Sequence, residues 1–354
     1  MQQRRMGRTG LKVSNICLGT MTFAGQADEA TSRKILDEAY EQGVTFIDTA
    51  DAYPIPPEPE TAGFTEEVIG GWLAAERGRR DGLVLATKCR IRVGHGPNDQ
   101  GLSRRHILTA CDASLRRLGT DHIDLYQAHS PDPETPIDET LRAFDDLVRS
   151  GKVRYVGCSN YPAWQLALAL GTSALHGLAR YDCLQPRYNL LHRDIETELL
   201  PLCRDQGLGV MAYNPLAGGF LTGKHRGDAP PAPGTRFTLG AAGELYRDRY
   251  WHAAHFEAVA SLKTFCAERA LNLATASVAW VLAQPGITSA IVGASRPEQL
   301  AATLAAADMI LDDETKAAFD AAWWSLPRMK RPQGLPLAGS LGLIPGSRNE
   351  VVRW

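Results

Sequence analysis

TFIDTADAY, residues 45–53, is the stretch whose reading decides the fold. It opens as a short apolar run that ends in an acid, Asp48, and a tyrosine, Tyr53, follows five positions on. The pattern recurs: LVLATK (83–88) ends in Lys88, and IDLYQAH (123–129) ends in His129. Short, nearly continuous apolar runs are the mark of parallel strands buried on both faces. If these runs are strands of one barrel, Asp48, Tyr53, Lys88 and His129 converge on its C-terminal rim, where barrel enzymes keep their chemistry. A free phenol has a pKa of about 10. An ammonium beside it, itself held by a carboxylate, favours the phenolate and makes the proton of Tyr53 easier to give up.

Outward from this stretch, eight strand-like runs are predicted at residues 16–20, 45–48, 83–88, 123–129, 153–159, 183–188, 209–214 and 290–293. Longer amphipathic segments at 28–42, 65–77, 103–118, 137–150, 163–170, 194–205, 252–269 and 297–306 read as helices. Thr65, Ser103 and Asp194 stand where helix N-caps belong. Eight strands each followed by a helix suit a closed (β/α)8 TIM barrel better than an open sheet. The opening MGRTGLKVS (6–14) reads as a small hairpin. Three segments break the alternation: 89–101, 217–249 and 325–354. The first two follow strands three and seven, so they are expected to overhang the rim, where loops set substrate choice. The last lacks a helical period and reads as an extended C-terminal tail. The expectation is one domain over residues 1–354, with a barrel core at about 15–324 and a tail at 325–354.

A chain of 354 residues fits one large barrel domain, and 44% hydrophobic with 22% charged residues is an ordinary globular composition. A formal net charge of −2 argues against a nucleic-acid partner. No apolar stretch follows MQQRRMGRTG as a secretion signal requires, and no run approaches the ~20 apolar residues of a membrane-spanning helix. A cytoplasmic protein with no membrane partner is expected. Its seven cysteines lie without CxxC spacing and read as reduced, mostly buried thiols. The nine histidines show no HxH or HExxH spacing, so no metal site is expected, and His252 with His255 reads as a solvent-side pair. The dinucleotide fingerprint GxGxxG is absent.

Seven segments in order, LGTMTF (18–23), IDTADAY (47–53), LATK (85–88), DLYQAH (124–129), GKVRYVGCSN (151–160), YNPLAGGFLTGK (213–224) and IVGASRPEQL (291–300), resemble the aldo-keto reductase superfamily, from about residue 7 to about 311. The stretch YPIPPEPETAGFTEEVIGGWL (53–73) is similar to the Tas-type bacterial branch, which carries a Pro-rich insert after the tyrosine. The resemblance implies a TIM barrel whose floor is capped by the N-terminal β-hairpin. It implies NADPH-dependent reduction of an aldehyde or ketone, a small-molecule carbonyl substrate. Tyr53 would donate the proton, Lys88 lower its pKa, Asp48 pair with Lys88, and His129 orient the carbonyl. For NADP(H) it implies Ser159, Asn160 and Gln185 at the carboxamide and Tyr213 stacked on the nicotinamide. Leu216, Gly218 and Lys224 would run with Arg236 along the pyrophosphate, while Gly19, Thr20, Met21, Asp48, Asn214, Pro215 and Gly293 complete the contacts. IVGASRPEQL opens a helix whose N-terminus attracts an anion. Ser295 and Arg296 would hold a phosphate on the adenosine ribose, beside Gln299. The chain departs from the family at EQLAAT (298–303), where relatives read EQLxEN; Ala302 and Thr303 replace the acid and amide that touch adenine.

A rival reading is an NADP(H)-binding regulatory or redox-sensing subunit with little turnover, like the potassium-channel β-subunits of the same fold. Those lack the histidine at the His129 position, so its presence favours an enzyme. A third is a phosphate-binding isomerase or aldolase with Lys88 as a Schiff-base nucleophile. His95, Asn98, Asp99, Tyr246 and Tyr250 offer polar contacts suited to a sugar, a hydroxyaldehyde or a polar natural product. Arg328, Lys330 and Arg331 form either a solvated cluster or an anionic-substrate contact, and a homo-oligomer is possible.

Overall fold

A computed structural model describes residues 1–327. The chain opens on a hairpin, β1 (Gln3–Arg5) antiparallel to β2 (Lys12–Ser14). Eight strands follow: β3 (Ile16–Gly19), β4 (Phe46–Asp48), β5 (Val84–Cys89), β6 (Ile123–Ala128), β7 (Val153–Ser159), β8 (Tyr181–Gln185), β9 (Gly209–Tyr213) and β10 (Ile287–Val292). They pair in parallel in chain order, and β10 closes on β3 with Ala290 opposite Ile16, which makes the predicted TIM barrel. The helices are α1 (Glu29–Glu41), α2 (Phe64–Ala74), α3 (Arg104–Leu118), α4 (Ile137–Arg149), α5 (Ala163–His176) and α6 (Leu199–Gln206). Then α7 (Gly240–Tyr250), α8 (Ala253–Glu268) and α9 (Leu273–Ala283) lie between β9 and β10, and α10 (Leu300–Leu304) and α11 (Asp313–Ser325) follow β10.

Side chains alternate across a strand, so each barrel strand sends one set outward and one inward. The outward set, with Ile47, Leu85, Tyr126, Val156, Leu184, Val210 and Ala290, packs in the core shared with the helices. The inward set, Cys17, Phe46, Ala86, Leu125, Cys183, Met211 and Ile291, closes over Met6 and Val13 from the hairpin. The hairpin therefore plugs the floor. It sits close enough that a Cβ on Gly209 would lie 2.1 Å from Met6 Sδ, so any side chain at that strand start would have to displace Met6 from the plug. Two residues further along the inward faces come Asp48, Lys88, Gln127, Gln185 and Tyr213, so the alternation that makes the floor apolar makes the layer above it polar.

Several expectations need correction. Ser103 does cap α3, its Oγ accepting from His106 N at 3.3 Å. Thr65 lies inside α2, whose N-cap is Gly63, and donates to Phe23 O at 2.9 Å. Asp194 starts only a 3-10 turn, Asp194–Glu196. The ring of Pro201 clashes with a helical carbonyl four residues back, so α6 begins at Leu199 instead. Helix α5 continues through Gly171 to His176. The segment 217–249 is not all loop: it holds a glycine-rich 3-10 stretch, Ala217–Thr222, and most of α7. His252 and His255 do pair, ring centres 5.5 Å apart, but not on the solvent side: His255 is buried, and burial, then His252, drops its pKa to about 4. All seven cysteines are buried and free. Among the described residues no helix is long and apolar enough to cross a membrane. The tail beyond residue 327, with Arg328, Lys330 and Arg331, lies outside the described residues.

Candidate active site

Strand ends bring the four predicted residues together. Lys88 is fully buried and donates to Asp48 Oδ2 at 2.5 Å and to Thr49 O at 2.7 Å. The other oxygen, Asp48 Oδ1, accepts from Gln127 Nε2 at 3.1 Å and from Gln185 Nε2 at 2.9 Å. Three donors thus converge on one carboxylate, which fixes both it and the ammonium. Burial works against the charge on Lys88, but Asp48, and then Tyr53, outweigh it, so the lysine pKa is raised and the amine stays an ammonium. That ammonium lies 5.1 Å from the centre of the Tyr53 ring. Burial pushes the Tyr53 phenol above its usual range, Lys88 pulls it down and Asp48 pushes it back up, with an upward balance. Lys88 therefore moderates a rise rather than producing a net fall, and Tyr53 carries its proton at neutral pH.

His129 follows β6 and meets Tyr53 edge to face, ring centres 5.8 Å apart. Burial, then the fields of Lys88 and Arg90, drive its pKa well below the ordinary value, so the ring is neutral and still offers one N–H. Its Nδ1 is buried without a hydrogen bond. The phenol and the imidazole thus stand as two neutral donors at one rim. Against Tyr53 pack Ala50, Ile55 and Ala242, with Met21 and Leu239, so the segment after β9 does overhang the mouth.

Residues predicted to hold a dinucleotide surround the same rim. Asn160 donates to His129 O at 2.9 Å and to Ser159 Oγ at 3.0 Å, and accepts from Tyr213 OH at 2.8 Å. Thr20 donates through N and Oγ1 to Asp48 O at 3.1 and 3.0 Å. Gly19 and Gly293 let the ends of β3 and β10 close up: a Cβ on Gly19 would lie 2.6 Å from Ile291 Cγ2, and one on Gly293 3.1 Å from Gly19 O. Asn214 Oδ1 accepts from Gly218 N at 2.5 Å, Pro215 is buried and Leu216 half-buried. Gly218 and Gly219 have φ of 70° and 93°, the left-handed region glycine tolerates. Arg236 donates to Met21 Sδ at 3.1 Å. Burial, then the nearby Arg296, lowers the pKa of Lys224. Lys224 and Arg296 feel each other's charge and have no acid partner among the described residues, and such cations suit phosphate groups, so the set fits a dinucleotide.

At the far end, Ser295 donates through N at 2.8 Å and Oγ at 3.4 Å to Gln299 Oε1, so Gln299 holds the Ser295 turn. Thr303 is buried and donates to Leu300 O, while Ala302 O accepts from Thr275, so neither side chain reaches out as the family's acid and amide would. Sequence reasoning missed Gln127, although it alternates with Leu125 and His129 on one strand face. It also missed Asp51, which is buried with neither carboxyl oxygen hydrogen-bonded; burial and then Glu66 push its pKa well above the usual carboxylate range. Glu66 is itself held by Thr87 Oγ1 at 2.6 Å and Arg117 Nε at 2.8 Å.

Comparison with known proteins agrees with this architecture. The model of the Aldo/keto reductase family matches residues 15–323. "Uncharacterized oxidoreductase YrpG" of Bacillus subtilis (strain 168) is 42% identical over 318 residues, 89% of this chain and 93% of that protein. "Probable voltage-gated potassium channel subunit beta" of Arabidopsis thaliana is 36% identical over 315 residues, 88% of this chain and 92% of the relative. "Protein tas" of Escherichia coli (strain K12) is 35% identical over 347 residues, 91% and 97% of the two chains. A family match over nearly the whole barrel, joined to relatives of this identity and coverage, means that the chain belongs to the aldo/keto reductase family, with the carbonyl-reducing oxidoreductase chemistry of that family.

Proposed function

We propose that the protein reduces an aldehyde or ketone to an alcohol with NADPH, reversibly, with Tyr53 as general acid. The observation that carries the reading is the pair of neutral buried donors, Tyr53 and His129, standing over the Lys88–Asp48 ion pair. When bound, a reduced nicotinamide supplies the hydride. As charge builds on the carbonyl oxygen, the Tyr53 O–H and the His129 N–H stabilise it, each worth about 2.7–4 kcal/mol if aimed as an oxyanion-hole donor is. Tyr53 then gives up its proton, and Lys88 stabilises the phenolate left behind, because its own charge is fixed by Asp48. Ser159 and Asn160 serve the carboxamide. Gln185 spends its amide hydrogens on Asp48 and Gln127, which leaves its Oε1 to accept from that group. Lys224 and Arg236 serve the pyrophosphate, and Ser295 with Arg296 the ribose phosphate.

Lys88 as a Schiff-base nucleophile fits poorly, since its raised pKa keeps it an ammonium. The little-turnover reading is opposed by His129 itself. The test is single-turnover oxidation of bound NADPH on mixing with a reactive aldehyde. Rapid oxidation is expected, and NADPH left intact over minutes would overturn the reading.

Cofactor choice is tested separately. Arg296→Ala is expected to weaken NADPH binding by about 1–3 kcal/mol, the range for a charge-assisted hydrogen bond, and to leave NADH nearly untouched. Fluorescence titration of both cofactors reads it. Equal affinity of the wild type for the two refutes the preference.

A further inference from the structure

Arg90 is a cation at the rim that the reaction above leaves without a task. It follows Lys88 and Cys89 directly, and His129 N donates to Cys89 O at 2.9 Å, so its backbone is tied to the strand end that carries His129. Its charge is felt by the His129 ring. Its Nε is buried without a hydrogen bond, and its guanidinium has no hydrogen bond or ion pair among the described residues. A buried donor left unpaired is costly. Its backbone adds a second cost: φ is 128°, a conformation L-residues rarely adopt, fixed by Gly101 N donating to Arg90 O at 2.8 Å. Strain of this kind clusters where a ligand is clamped.

Three other polar groups expected at the mouth, Asp99, Tyr250 and His95, are already engaged. Asp99 Oδ2 accepts from Gly96 N at 2.8 Å, and the buried Tyr250 OH accepts from Asn189 and Asn214 at 3.0 and 2.9 Å. His95 is exposed and pairs with Glu60 at 3.0 Å. The sugar-like contacts expected of these side chains are therefore largely taken up, and Arg90 is not.

We propose that Arg90 determines specificity by pairing end-on, through its two Nη groups, with a carboxylate on the substrate, so that the enzyme takes aldehydes or ketones that bear a carboxylate. This rests on the carbonyl-reductase reading, with the carbonyl at Tyr53 and His129. A carboxylate fits because a single planar fork matches one planar monoanion, whereas a phosphate carries close to two charges and suits paired cations such as Lys224 and Arg296.

The experiment compares 4-carboxybenzaldehyde with its methyl ester. Wild type should favour the acid in kcat/KM, and Arg90→Met should shrink the acid-to-ester ratio by about 10- to 100-fold, chiefly through KM. Arg90→Lys keeps the charge but not the fork and should retain part of the ratio. A wild type that treats acid and ester alike, or an Arg90→Met variant that loses both in proportion, overturns the proposal. So does a stronger preference for a phosphate-bearing aldehyde. Titration of the NADPH complex with benzoate reads the anion site without turnover. Benzoate binding lost in Arg90→Met supports the site even if no aldehyde is reduced, in which case only the carbonyl-reductase reading fails; benzoate binding that ignores Arg90 overturns the site even if aldehydes are reduced.

Discussion

Tyr53→Phe is expected to bind NADPH as the wild type does and to lose the hydride-transfer step by about two to four powers of ten, the contribution of a positioned acid. The substitution is clean because of where the ring lies. It is 8% exposed, set against Ala50, Ile55 and Ala242 and edge-on to His129, so phenylalanine keeps the packing and removes only the hydroxyl. Single-turnover NADPH oxidation and equilibrium titration separate the two effects. A variant within tenfold of wild type in the hydride step would show that another group supplies the proton. His129 is a poor substitute, since burial and two nearby cations hold it neutral and a neutral imidazole is a weak acid.

The barrel was legible because its strands are short apolar runs, several of which end in or just before a polar residue, and the site was legible for the same reason. Asp48 and Lys88 share the inward face of their strands with Phe46 and Ala86, and His129 continues the face of Leu125. The same alternation pointed to Gln127, whose role depends on a neighbour 79 residues away and so was not readable along one strand. Helix α9 was invisible for a different reason. All ten residues of Leu273–Leu282 are buried, and a helix apolar on every side loses the 3.6-residue contrast that betrays an amphipathic one. Helix α7 hid in a segment whose glycines and arginines read as loop. The Asp51–Glu66 neighbourhood depends on how the insert after Tyr53 folds back, which local pattern does not carry. Arg90 looked like one cation among 38; only its backbone angle and its unpaired Nε set it apart.

Breaking the Asp48–Lys88 pair from its two ends should give unequal results. Asp48→Asn leaves one amide oxygen where Lys88, Gln127 and Gln185 all donate, so whichever way the amide turns, donors face donors around a buried ammonium. Removing one partner of a buried pair costs about 3–5 kcal/mol, and that is the loss of stability expected. Lys88→Met removes the cation but leaves the Asp48 carboxylate its two amide donors, so a smaller loss of about 1–3 kcal/mol is expected. Both variants should be nearly inactive, since Tyr53 then lacks a properly held ammonium. In the double variant Asp48→Leu/Lys88→Met no charge remains unpaired, and apolar replacement of a buried pair is often close to neutral, so stability should return to within about 2 kcal/mol of wild type without any return of activity. Urea unfolding gives the three values. If Lys88→Met destabilises as much as Asp48→Asn, the glutamine amides are not holding the carboxylate. If the double variant is no more stable than Asp48→Asn, the cost lies in packing and not in the stranded charge. A pair that adds little stability but is indispensable to turnover would be kept for the proton of Tyr53, not for the barrel.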